Sequence, residues 1–96
     1  MGHKRIRDLQ GLGEKSEQTL AKIGVYMVGD LEVLGAIPAY IKLVRAGLNP
    51  GLNFLYALVG ALQGRTWLDV AQKDKGKLLM EMEGYAELEE ILNKEV

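Results

Sequence analysis

The stretch Leu9-Gln10-Gly11-Leu12-Gly13-Glu14-Lys15-Ser16 is the one pattern in this chain with a mechanism attached to it. Two glycines flank an apolar leucine, and glycine lets a backbone turn tightly and approach a partner with no Cβ in the way. If a helix begins after Gly13, its first amides have no acceptor within the helix and the positive end of its dipole lies there. That combination suits a phosphate oxygen. Lys15 adds a cation on a long arm and Ser16 a hydroxyl donor, while Lys4, Arg5 and Arg7 lie close by in sequence. Glu14 works against this reading, because its carboxylate could take the place meant for an anion.

Other chemistries find little support. The chain has no cysteine, which excludes disulfide scaffolds, thiolate nucleophiles and cysteine-bound metals. Its single histidine, His3, sits at the start of the chain, so a Ser–His pair or a histidine-rich metal site is not expected. Asp69 and Asp74 have no partner or apolar pocket in the sequence that would mark acid–base work. Pairs such as Glu87 and Glu90 lack the histidine or loop geometry of a metal site. The expectation is a non-enzymatic protein with no catalytic residue, cofactor, metal or small-molecule substrate.

The elements that must hold the hairpin read as short helices parted by glycine turns. A first helix is expected over about Arg5–Leu9 and a second over about Glu14–Ile23, stopped by Gly24. A third opens at Gly29 or Asp30 and ends at Gly35. Pro38 suits the first turn of a fourth, reaching Ala46, with Tyr40, Ile41 and Val44 inward and Lys42 and Arg45 outward. The run Gly47-Leu48-Asn49-Pro50-Gly51 is a loop on turn chemistry. Leu52–Gln63 is apolar on nearly every side, which places that helix centrally. Thr66 is an expected N-cap for a short turn holding Trp67, Leu68, Val70 and Ala71. A longer helix over about Lys73–Asn93 then lines up Leu78, Met82, Tyr85, Ile91 and Leu92. Trp67 and Tyr56 are expected to fill the core. The fold class is all-α: a compact bundle of five to six short helices in one domain over 1–96, with its core over about 5–82 and an acidic helix end over about 83–96.

The 96 residues suffice for one modest core, and 48% apolar with 26% charged residues is ordinary for a globular protein. The N-terminus has no apolar run of signal-peptide type, and Leu52–Leu62 is far short of the ~20 residues a membrane span needs. A cytoplasmic protein with no membrane partner is expected. The net charge of −1 conceals an uneven spread. Residues 1–80 hold eleven Lys and Arg against seven Asp and Glu, a surplus of four cations, whereas residues 81–96 hold six Glu against Lys94, an excess of five anions. Lys73, Lys75 and Lys77 read as a solvated helix start and the glutamates as a solvated face.

The glycine pattern resembles the helix-hairpin-helix motif, which grips nucleic-acid backbone without reading sequence. Three blocks widen the resemblance: Leu9-x-Gly11-Leu12-Gly13-x-Lys15-Ser16-Glu17 with Leu20 and Ile23-Gly24-Val25; Val28-Gly29-Asp30-Leu31 with Leu34-Gly35-Ala36; and Asn53-x-Leu55-Tyr56-Ala57-Leu58-x-Gly60-Ala61-Leu62-x-Gly64-x-x-Trp67. Over about residues 5–82 the chain resembles the C-terminal domain of the TfoX/Sxy family, bacterial regulators of DNA transformation competence. The first two blocks also resemble the C-terminal domain of the RNA polymerase α subunit. The resemblance implies that Gly11, Gly13, Lys15 and Ser16 meet phosphates. The proline common before the first glycine is Gln10 here, and the small residue common on the next helix is Glu17. In those regulators a domain of different fold precedes this one, so a stand-alone version or a piece of a longer chain is expected.

Two functions follow. In the first, a nucleic-acid-binding or transcription-associated domain, the hairpin amides with Lys15, Lys4, Arg5 and Arg7 hold the DNA backbone. In the second the hairpin is structural, and an apolar face binds another protein or a second copy, either at Val25, Tyr26 and Met27 or at Leu88, Ile91 and Leu92. The acidic end favours a basic partner in that case.

Overall fold

The computed structural model describes residues 4–94, with side chains to residue 85. A single 3-10 turn at Ile6–Asp8 is followed by α1 (Glu14–Ala21), α2 (Val28–Leu34), α3 (Ala36–Arg45), α4 (Leu52–Gln63) and α5 (Trp67–Lys94). No strand occurs among the described residues; an isolated bridge joins Arg5 to Met27, and Val28 N–H donates to the Lys4 carbonyl at 3.1 Å. The fold is all-α, as expected, with two differences in its elements. The first helix is only one 3-10 turn, because Gly11 and Gly13 follow too closely for an α-helix to grow. The short turn at Trp67 and the longer helix after it are one 28-residue element, α5, so this helix is not short.

Local chemistry accounts for the ends. The Asp30 carboxylate accepts the Tyr26 and Met27 N–H groups at 3.0 and 3.1 Å, which starts α2 at Val28, a little before the expected point. Pro38 still falls in the first turn of α3, where a missing N–H costs nothing. Thr66 Oγ1 accepts the Asp69 N–H at 3.1 Å and caps α5. Helices α1, α3 and α4 finish alike: Val25 N–H returns to the Leu20 carbonyl, Leu48 to Leu43, and Arg65 to Gly60. In the first two of these an apolar residue after the turn meets an apolar residue on the helix. In the third those two positions are Arg65 and Gly60. A Cβ on Gly60 would overlap the Arg65 carbonyl oxygen and come within 3.2 Å of the Thr66 carbonyl carbon.

Helix α4 is central because two cores meet on it. Leu58 packs into one with Ile6, Leu12, Leu20, Val25, Val28, Leu31, Ala39 and Leu43. Leu55, Tyr56 and Val59 pack into the other with Ile37, Val70 and Leu78. An all-round apolar helix is what two-sided burial requires. Three expected placements are corrected. Val25, expected on an exposed connector, is 3% exposed, because the turn closing α1 folds it inward beside Leu20. Val44, expected inward, is 51% exposed; Leu43 takes the buried place because α3 presents Ile37, Ala39 and Leu43 to its neighbours. Trp67, expected in the core, is 45% exposed. It starts α5 beyond the end of α4, whereas Val70, one turn later, is fully covered. The Leu88, Ile91 and Leu92 stripe lies outside the described side chains.

The molecule measures 40 × 29 × 25 Å. Helix α5 accounts for the long dimension, since 28 residues span about 40 Å against about 18 Å for the 12 residues of α4. Among the described residues no helix is long and apolar enough to cross a membrane.

Candidate nucleic-acid interface

The hairpin is built by short-range bonds. Arg5 N–H donates to Asp8 Oδ2 at 3.1 Å, Leu9 N–H to the Ile6 carbonyl at 3.0 Å, and Leu12 N–H to the Leu9 carbonyl at 3.2 Å. Gly11 turns the chain at φ +84°, a left-handed conformation that costs an L side chain roughly 1 kcal/mol or more. Leu12 is buried and pins the turn to the first core. Gly13, the residue before α1, is extended at φ −117°, and nothing lies within 4 Å of where its Cβ would be. Neither backbone nor neighbours demand glycine there. What glycine does at that point is leave the space in front of α1 open.

That space fronts the first-turn amides of Glu14, Lys15 and Ser16. Among the described residues, no backbone or side-chain oxygen accepts from them. Glu14 is exposed, and its carboxylate does not cap them. Lys15 is exposed and makes no ion pair among the described residues. Lys15, Ser16 and Thr19 border a cavity of about 290 Å³ against Leu48, Asn49, Pro50 and Phe54. The loop is held by Tyr40, whose hydroxyl donates to the Pro50 carbonyl at 3.0 Å.

The three cations before the hairpin stand differently. Lys4 is exposed on the strand-like segment that bridges to α2. Arg5 lies 3.6 Å from Asp8 with most of its side chain in solvent. Arg7 is engaged: its Nη2 and Nε reach Glu17 Oε1 at 2.7 and 3.1 Å, and its N–H reaches Oε2 at 3.2 Å. These bonds hold the Glu17 carboxyl below the usual carboxylate range and raise the Arg7 guanidinium. Glu17 thus clamps the 3-10 turn onto α1, so the large residue at a commonly small position has a structural task. The amides, Lys15 and Ser16 come together at the start of α1; Lys4 and Arg5 sit along the approach to α2, and Arg7 is spent on Glu17.

Periodicity reasoning missed a neighbour of the hairpin. Trp67 borders a cleft of about 310 Å³ with Gln10, Gly11, Ala57, Arg65 and Thr66. Behind it, Arg65 binds Asp69 Oδ2 and Asp74 Oδ2, each at 2.7 Å, and Gln63 Oε1 at 2.8 Å. Hydrogen bonding to Arg65 holds both aspartates below their ordinary range. Lys73 adds a contact to Asp69 at 3.0 Å. A carboxyl kept ionised in this way is a poor proton donor. The one sequence signal for the cleft was an unusual helix end with Arg65 and Gly60 where apolar residues are customary.

The fold and the hairpin define a class: an all-helical domain whose tight glycine turn opens onto a free helix N-terminus. Residues 2–82 match the family described as the TfoX C-terminal domain, and the chain belongs to that family. It is 35% identical over 78 residues to the DNA transformation protein TfoX of Haemophilus influenzae, covering 81% of this chain and 36% of that protein. Its structure is similar to the crystal structure of an uncharacterized protein from Listeria monocytogenes, with a TM-score of 0.73, 26% identity, and coverage of 85% of this chain and 93% of the other. The chain is thus related to a competence regulator and spans 36% of its length.

Proposed function

We propose that this domain holds nucleic-acid backbone at the N-terminus of α1, as a regulatory rather than a catalytic module. The observation that carries this is the row of three unpaired amides at Glu14, Lys15 and Ser16, with no carboxylate on them and Lys15 beside them. A phosphate oxygen there meets aligned N–H donors and the positive end of the helix dipole. The absence of a side chain on Gly13 admits the backbone, and the Ser16 hydroxyl supplies a further donor. The printed description of the Haemophilus relative as a DNA transformation protein fits this reading. Contacts of this kind position a duplex without reading its bases.

With one or two phosphates neutralised, binding is weak and sequence-tolerant, and it falls with salt at a log–log slope of about −0.9 per phosphate. Titration of a duplex at low salt against the native chain and Lys15→Glu tests it. Loss of binding in the variant, with the salt slope reduced by about one, is expected. Equal curves for both proteins, or no binding by either, refute it.

A second reading has its own observation. Val33 on α2 is 91% exposed and Tyr26 at the entrance to α2 is 61% exposed, two apolar side chains that suit docking of another protein. Val33→Asp separates the two readings, since it leaves DNA titration unchanged and weakens only protein docking.

A further inference from the structure

The side of α5 turned away from α3 and α4 carries apolar side chains that the described chain leaves partly uncovered. Met80 is 73% exposed, Leu68 half exposed and Leu79 36% exposed. Leu68, Gln72, Lys75 and Leu79 recur at intervals of four, three and four, which keeps them along one side of a helix. Gly76 lies beside this stripe, and nothing stands within 4 Å of where its Cβ would be.

Charge reverses along the same helix. Lys73 is offset by Asp69 at 3.0 Å, and Asp74 by Arg65 at 2.7 Å. Lys77 also lends its charge to Asp74; among the described residues, what remains uncompensated is Lys75 on the first half and Glu81 and Glu83 on the second, and all three are exposed. The sequence continues the acidic half with Glu87, Glu89 and Glu90. A parallel partner of like polarity would set equal charges against each other. An antiparallel partner sets each half against its complement, and a second α5 has that polarity.

We propose that two copies of this chain dock through α5, antiparallel about a two-fold axis at Leu79. The contact is self-complementary, as a two-fold interface must be. Positions equally distant from Leu79 then meet: Lys75 of one copy faces Glu83 of the other, and Leu79 faces itself. Gly76 puts no side chain beside this contact, so the two helices can approach closely. The long α5 presents this face well past the end of α4. One helix face is smaller than the ~800 Å² per partner of a standard interface, so the dimer is weak and depends on concentration. The hairpin takes no part in it.

Because the chain has no cysteine, a single introduced thiol reports the geometry. Under mild oxidation, Leu79→Cys is expected to form an intermolecular disulfide at least tenfold faster than Val44→Cys, which is more exposed but on α3. Equal rates overturn the proposal. Sedimentation of the full chain between about 10 µM and about 1 mM is expected to show a rising mass. Lys75→Glu and Glu83→Lys each lower that association, and the two together restore it. A monomer at every concentration, or no restoration in the double variant, overturns the proposal too. Helical circular dichroism confirms that each variant is folded, and Lys15→Glu leaves the association unchanged.

Discussion

Replacing Gly60 with alanine tests how the corner between α4 and α5 is built. In an ordinary helix interior this change is favourable by about 1 kcal/mol, since glycine loses more backbone entropy on folding. Here the new Cβ would overlap the Arg65 carbonyl oxygen, with Thr66 C at 3.2 Å and Arg65 C at 3.3 Å. All three are backbone atoms, so no side-chain rotation relieves the clash. The turn must move, which strains the Arg65 N–H bond to the Gly60 carbonyl, now 2.8 Å. Overpacking costs about 1–3 kcal/mol and a weakened hydrogen bond about 1 kcal/mol. Less the propensity gain, Gly60→Ala is expected to destabilise by about 1–3 kcal/mol. For a domain of this size that lowers Tm by roughly 4–8 °C per kcal/mol. The control is Gly84→Ala on α5, where the Cβ meets nothing within 4 Å; it is expected to stabilise by up to about 1 kcal/mol. Urea denaturation and thermal melts of both variants at low concentration measure this. If Gly60→Ala is as stable as Gly84→Ala, the reasoning is refuted.

The two hairpin glycines are expected to differ in their effects: Gly11→Ala costs roughly 1 kcal/mol because of its positive φ, whereas Gly13→Ala costs only the N-cap preference for glycine over alanine, less than about 1 kcal/mol, and retains less duplex at low salt. Because Arg7 and Arg65 depress the carboxyls of Glu17, Asp69 and Asp74 in the fold, the unfolded chain takes up their protons first as pH falls. Their contribution is therefore complete above the ordinary carboxylate range and is lost as pH falls through and below about 4; Arg65→Met flattens this acid limb in urea midpoints taken from pH 7 to pH 2. Trp67, the single tryptophan, is expected to be accessible to acrylamide in the folded state, and Trp67→Ala is expected to cost less than Leu55→Ala, whose fully buried side chain is worth about 2–5 kcal/mol. A tryptophan emission protected from quencher would contradict the exposed placement.

Much of the fold was legible in the chain because the signals that set it are local. Helix α4 runs over Leu52–Gln63, the range its apolar residues and Gly64 delimit. Gly24, Gly35 and Thr66 mark helix ends through backbone conformation and capping, and neither depends on what lies across the molecule. The hairpin, too, is a matter of neighbouring residues, so Gly11 and Gly13 could be singled out before any packing was known.

Only the tertiary structure decided what faces what. Periodicity shows that Trp67 shares a side of α5 with Val70, but α4 ends too soon to cover Trp67, and its ring borders the hairpin instead. Val25 and Val44 exchange their expected places because burial depends on the neighbouring element, which a residue's own helix does not reveal. The pairing of Arg7 with Glu17 and of Arg65 with Asp69 and Asp74 was likewise unreadable. A charge is drawn to whichever opposite charge the fold brings within a few ångströms, so arrangement in space, and not order along the chain, settled which cations stand free at the start of α1.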